Sequence, residues 1–173
     1  MTDRETQEPT LDSDPIEFVR RNWERTGQRR PEQFAAAVSI LRLHELVSAE
    51  FIRVLRPFGL NRTAYHVLSA LLMSDDNTRP LGQLGKALMV HPATLTLVVD
   101  QLEKRNLLHR SPHPTSRRTT LAILTPAGIR MVTEASAALA DANFGLASTT
   151  DETARRLNDS LRRVRKPLGD AVE

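Results

Sequence analysis

The stretch from residue 79 to 125, RPLGQLGKALMVHPATLTLVVDQLEKRNLLHRSPHPTSRRTTLAILT, constrains this chain more than any other. Its pattern changes character three times. Leu81 to Met89 carries inward-spaced Leu84 and Leu88. Val90-His91 interrupts it, and Pro92 is suited to the first position of a new helix because its missing N–H has no partner to lose there. From 92 to about 105, Leu95, Val98, Val99 and Leu102 recur at helical spacing. Asn106 tolerates the left-handed conformation that ends a helix. Two short alternating runs then follow, 107–111 and 118–124, joined by a connection with Pro112, Pro114, Thr115 and Ser116 but no core-sized apolar residue.

Helix, turn, longer helix and projecting hairpin form the order of a winged helix-turn-helix. Such a unit lays its second helix in the DNA major groove and its wing beside it. The charge agrees: Lys104 to Arg118 holds five Lys/Arg, two His and no acid. The whole-chain net charge is only +3, because acids elsewhere dilute this patch; residues 1–14 alone carry five acids against Arg4. In this frame the core face of the second helix leaves Ala93, Thr94, Thr96, Leu97 and Gln101 toward the groove or its rim. For Thr94, Thr96 and Gln101, groove contact competes with ordinary exposed polarity. His91 either donates to a phosphate or caps the turn. Arg117 and Arg118 either reach DNA or form a solvated pair, and Arg118 has a third option, turning inward to Asp100.

The flanking segments read as supporting helices. Residues 1–13 are polar and expected to be disordered. Asp14 and Pro15 open a short helix with Ile16, Val19 and Trp23 on one side, ended by Gly27; alone it is too short to persist, so Trp23 is expected to dock. A long helix spans 31–57, with an apolar arc too wide for one packing partner. Asn61 caps the next helix, which runs to about Met73, with Leu60 and Tyr65 placed as a hydrophobic staple. SDDNTRP reads as a polar turn, and Gly82 as a possible N-cap for the first helix of the pair. After the hairpin, Thr125-Pro126 starts a helix to about 145, interrupted by Gly145. Thr149 and Glu152 fit a capping box for a last helix whose Ala154, Leu157, Leu161, Val164 and Leu168 form a narrow seam.

This layout resembles the MarR family of dimeric transcription regulators. LGQLGKALMVHPATLTLVVDQLEKRNLL and HRSPHPTSRRTTLAILTPAG carry the resemblance: His91-Pro92, Thr96, Leu102 to Arg105, Leu107, Arg117-Arg118 and Leu124-Thr125 with Gly128. The resemblance implies a mainly α fold with a small β-wing. Its winged helix-turn-helix (61–124) would be flanked by dimerisation helices (31–57 and 126–168) within a domain 31–173, after an N-terminal arm 1–30. It implies DNA contact by His91, Pro92, Ala93, Thr94, Thr96, Leu97, Gln101, Thr115, Ser116, Arg117 and Arg118. It also implies a homodimeric repressor of a pseudo-palindromic operator, released by a small ligand such as an aromatic acid. The ligand pocket would draw on Trp23, Arg42, His44, Tyr65 and His66, although His44 equally suits a core or interface position. Three residues depart from the family pattern. Ser116 stands where Asp is usual in the wing, Asn106 replaces the helix-ending Gly, and Leu97 follows Thr96 where a polar residue is common. Leu97 must then touch something apolar, such as a thymine methyl, or pack.

Other classes find little support. The chain has no Cys, so disulfides, thiolate nucleophiles and Cys-ligated zinc are out. His109 and His113 sit in a proline-containing hairpin, which does not present them as a helix would, and no metal or cofactor is expected. No nucleophile constellation or Gly-rich phosphate loop is visible, so an enzyme is not expected. No apolar run approaches a membrane span or a signal-peptide core, and a cytoplasmic location follows as the default. The competing class is an architectural or constitutive DNA-binding protein without an effector.

Overall fold

A computed structural model describes residues 14–170, without the Arg117 side chain. The segment 1–13, where disorder is expected, lies outside the described residues. The chain divides into two compact units, 1–47 and 48–173, and the division falls within one long helix.

In the first unit, α1 (Pro15–Arg25) starts as its sequence dictates: the Asp14 carboxylate accepts the Ile16 N–H at 2.9 Å and Pro15 opens the helix. Gly27, at φ +72°, turns the chain out of it. Trp23 does dock. Its ring stacks on Phe34 with centroids 3.8 Å apart, and its indole N–H donates to the Arg29 carbonyl. Arg20 adds ion pairs to Glu17, Glu24 and Glu32. Phe34 belongs to α2 (Pro31–Leu55), which ends two residues before the expected boundary; a 3-10 turn at Arg56–Phe58 and Gly59 at φ +60° close it.

In the second unit, α3 (Arg62–Leu72) is capped by Asn61, whose side chain accepts the Ala64 N–H at 2.8 Å. Leu60 and Tyr65 are both buried at the staple positions. Asn61→Ala is expected to cost about 1 kcal/mol, read as a lower urea midpoint at unchanged m-value. The core combines Leu55, Leu68, Leu71, Leu84, Val99, Leu102, Leu108, Val132 and Leu139. Its helices are α3, α4 (Leu81–Ala87), α5 (Pro92–Lys104) and α6 (Pro126–Asp141), with the end of α2 supplying Leu55.

Several boundaries depart from expectation for local reasons. The SDDNTRP segment is more than a turn. Asp76 and Asn77 take left-handed φ, and Thr78–Pro80 then forms β1, paired with β3 (Ser116–Leu124) from Thr78↔Ile123 to Pro80↔Leu121. Three residues are too few to show periodicity, and a proline is tolerated on such an edge. The sheet order is β1-β3-β2, with β2 at Leu108–His113. The hairpin arms run further than expected, to His113↔Ser116 after a register shift at Pro112/His113. Helix α4 starts directly after Pro80, so Gly82 is not its cap, and it ends where Met89 takes φ +51°. Helix α6 stops at Asp141, because Asn143 and Phe144 already adopt positive φ before Gly145. The cap of α7 (Asp151–Arg165) is Thr150, accepting the Thr153 N–H at 3.3 Å; the Thr149 hydroxyl donates instead to the Leu146 carbonyl. Leu168 lies past α7 in a 3-10 turn and is largely exposed.

Candidate nucleic-acid interface

Helix α5 is set by its two ends and one buried face. At the N-terminus the His91 ring acts as the cap, its Nδ1 accepting the Ala93 N–H at 3.3 Å. Leu95, Val98, Val99 and Leu102 are buried. Asn106, at φ +55°, ends the helix in the left-handed conformation expected of it. Pro92, Ala93, Thr94, Thr96, Leu97 and Gln101 are all exposed, and the Thr96 hydroxyl donates back to the Pro92 carbonyl. Leu97 is 58% exposed, so most of its side chain is left open to solvent.

The acids of α5 are spoken for by a residue that the sequence reading passed over. Arg110, on β2, pairs with Asp100 and with Glu103, the latter at 2.7 Å, and its backbone N–H donates to Glu103 at 2.8 Å. Arg118 therefore does not turn inward to Asp100; it is exposed on β3. Strand pairing explains the choice, since β2 and not β3 follows α5 directly and packs along it. The signal was present in the spacing: Asp100 and Glu103 share a helix face three residues apart, and Arg110 is the first base on the next strand.

A second base of the 104–118 window is also structural. The Arg105 guanidinium donates to the carbonyls of Gly59 at 2.6 Å and Phe58 at 2.9 Å, tying the end of α5 to the turn after α2. Lys104 and Arg118 stay exposed. At the hairpin tip the Thr115 N–H donates to His113, and the Ser116 and Thr119 hydroxyls bond at 2.8 Å. A hydroxyl pair thus stands where the family pattern has an Asp. Arg117 lies on β3, but its side chain is outside what the structure describes.

The remaining candidates fall in different units. Trp23, already stacked on Phe34, and the exposed Arg42 and His44 belong to the first. Tyr65 and His66 belong to the second, where both rings lie near Phe51, at centroid distances of 6.2 and 6.0 Å. Tyr65 is buried and its hydroxyl bonds Ser136 at 3.0 Å. Burial first, and then the Arg62 charge, hold His66 below the ordinary imidazole value. Among the described residues no cluster of His, Asp or Glu is placed to hold a metal, and no helix is long and apolar enough to cross a membrane.

The comparisons decide the lineage. The MarR family model matches residues 60–120. Sco5413 from Streptomyces coelicolor, a MarR family transcriptional regulator, is 33% identical with a TM-score of 0.74, over 82% of this chain and 98% of that one. The chain belongs to the MarR family. Its fold is accordingly mainly α with a small antiparallel wing, and it is a winged-helix regulator of transcription. MhqR of Bacillus subtilis (strain 168), an HTH-type transcriptional regulator, is 32% identical over 97 residues; the match spans 56% of this MarR-family chain and 66% of MhqR. Sco3205 of Streptomyces coelicolor, a MarR family regulator solved in complex with DNA, shares the fold at 23% identity and a TM-score of 0.70, over 82% of this chain and 91% of that one.

Proposed function

We propose that this MarR-family chain is a homodimeric repressor that binds a pseudo-palindromic operator and is released by a small aromatic acid. The observation that carries the DNA part is the outward face of α5. Ala93, Thr94, Thr96, Leu97 and Gln101 are exposed beside a hairpin bearing Arg118, while the only acids of α5, Asp100 and Glu103, are both held in ion pairs by Arg110. Sco3205, bound to DNA in its solved complex, supports the same use of the fold. Thr115, Ser116, Arg117 and Arg118 serve in this proposal as wing contacts to phosphate or minor groove, and His91 and Pro92 hold the helix start against the backbone.

Dimerisation is supported by apolar surface that the single chain leaves open. On α2, Leu41 is 67% exposed and Leu46 and Ile52 are each 60% exposed; on α7, Val164 is 50% exposed. Exposed large aliphatic side chains on a helix mark surface that a second copy can cover. Leu41→Glu with Leu46→Glu should convert the dimer to monomer in sedimentation and abolish operator binding. The two half-sites should lie about one helical turn apart.

The release step rests on chemistry suited to an aromatic carboxylate: in the second unit the ring of His66 lies near that of Phe51 and within the field of the Arg62 cation, beside Tyr65, while Trp23, Arg42 and His44 are separate candidates in the first unit. An effector acts only by binding the released state more tightly than the DNA-bound one. The test is direct. Purified protein is titrated onto its own promoter and onto random DNA across salt concentrations, and then aromatic acids are added. Promoter preference, a steep loss of affinity with salt and acid-induced release are expected. Equal binding to both DNAs would end the regulator proposal; release by no acid in the panel would leave a constitutive binder.

A further inference from the structure

Opposite the buried residues of α5, helical spacing places one outward stripe: Ala93, Leu97, Asp100 and Lys104. Asp100 is occupied by Arg110, and Lys104 lies at the far end. The N-terminal half of the stripe, the half that a recognition helix presents to base edges, is therefore apolar. Leu97 is its largest apolar member, 58% exposed and outside the buried core, and Ala93 sits one turn before it. Its surroundings suit a polyanion and not another protein face. Residues 86–118 carry six Lys/Arg against two acids, and Arg110 takes both acids.

We infer that Leu97, with Ala93 beside it, reads the 5-methyl group of a thymine in each half-site of the operator. This rests on the regulator proposal above and names which base chemistry the helix recognises. In the major groove, the C5 methyl of thymine is the one apolar feature distinguishing a base pair, and an aliphatic side chain is its natural complement. A leucine left exposed by folding is covered when such a methyl reaches it. Thr94, Thr96 and Gln101 flank the stripe and supply polar contacts, so Leu97 adds discrimination at one position and leaves overall docking to the bases around it.

The experiment substitutes the DNA rather than the protein. Deoxyuridine replaces thymine at each position of the footprinted promoter site in turn, which removes only the methyl. At one thymine per half-site, wild-type full-length protein should bind about fourfold more weakly, the loss expected for one methyl group. Leu97→Ala should bind thymine and deoxyuridine sites equally, with its thermal midpoint unchanged because the residue is exposed. If no position is sensitive in the wild type, or if Leu97→Ala keeps the sensitivity, the assignment to Leu97 is wrong although the promoter is still preferred. Loss of promoter preference itself would overturn the regulator proposal, and this assignment with it.

Discussion

Gly128→Ala should destabilise the winged-helix unit by about 3 kcal/mol, seen as a fall of roughly 10 °C in the midpoint of thermal unfolding. A Cβ on Gly128 would lie 1.9 Å from the Leu107 carbonyl oxygen and 3.0 Å from Leu124. That carbonyl cannot retreat, because it accepts the Thr125 N–H at 3.1 Å; Thr125 in turn caps α6 through Gly128 N–H and donates its hydroxyl to the Asn106 carbonyl at 2.7 Å. One glycine therefore lets the start of α6 lie directly on the chain that leaves the recognition helix. The paired control is Gly82→Ala, where an added Cβ meets nothing within 4 Å. There a helical glycine is simply replaced by a better helix former, and stability should rise by about 0.5 kcal/mol. Equal midpoints for wild type and Gly128→Ala would show that the contact relaxes freely.

Arg110→Met should weaken operator binding about tenfold. Its ion pairs are partly exposed, 27% for Arg110 against 44% for Asp100 and 37% for Glu103, so the stability loss should stay near 1 kcal/mol. The larger effect is electrostatic. Without Arg110, both carboxylates on α5 lose their ion-pair partner, which makes the helix more negative toward any DNA that approaches it, and the helix loses its link to the wing. Removing the acids separates these causes. Adding Asp100→Asn and Glu103→Gln to Arg110→Met should restore most of the affinity if repulsion dominates. If the triple variant binds no better than Arg110→Met alone, Arg110 acts by holding the helix in place. Fluorescence anisotropy at two salt concentrations reads both outcomes.

Much of the molecule is legible in the sequence, because it is written in local rules. Pro92, Asn61, Thr125 and Asn106 punctuate helices by capping and backbone preference, and each does so in the structure. The buried face of α5 follows from spacing alone. Where those rules failed, a competing local term won. Phe144 adopts φ +50°, which no propensity favours, and Thr150 rather than its neighbour caps α7. Strand β1 exists only because β3 is there to pair with it, and a three-residue segment carries no pattern of its own.

The interface divides the same way. Which residues α5 turns outward was set by the sequence, since an amphipathic helix has one buried side wherever it is placed. Which charges remain available to a ligand was not, since Lys104, Arg105, Arg110 and Arg118 are alike as letters. Only folding commits Arg105 to the carbonyls of Phe58 and Gly59, and Arg110 to Asp100 and Glu103, while Lys104 and Arg118 stay exposed. Partners up to 47 positions apart make that choice, and no local propensity can encode it. The sequence by itself determined the helix-turn-helix, the wing and their outward residues, because spacing and caps act within a few residues. The tertiary structure alone decided which arginines build the scaffold and that Leu97 is left uncovered, because both depend on what the rest of the chain brings alongside.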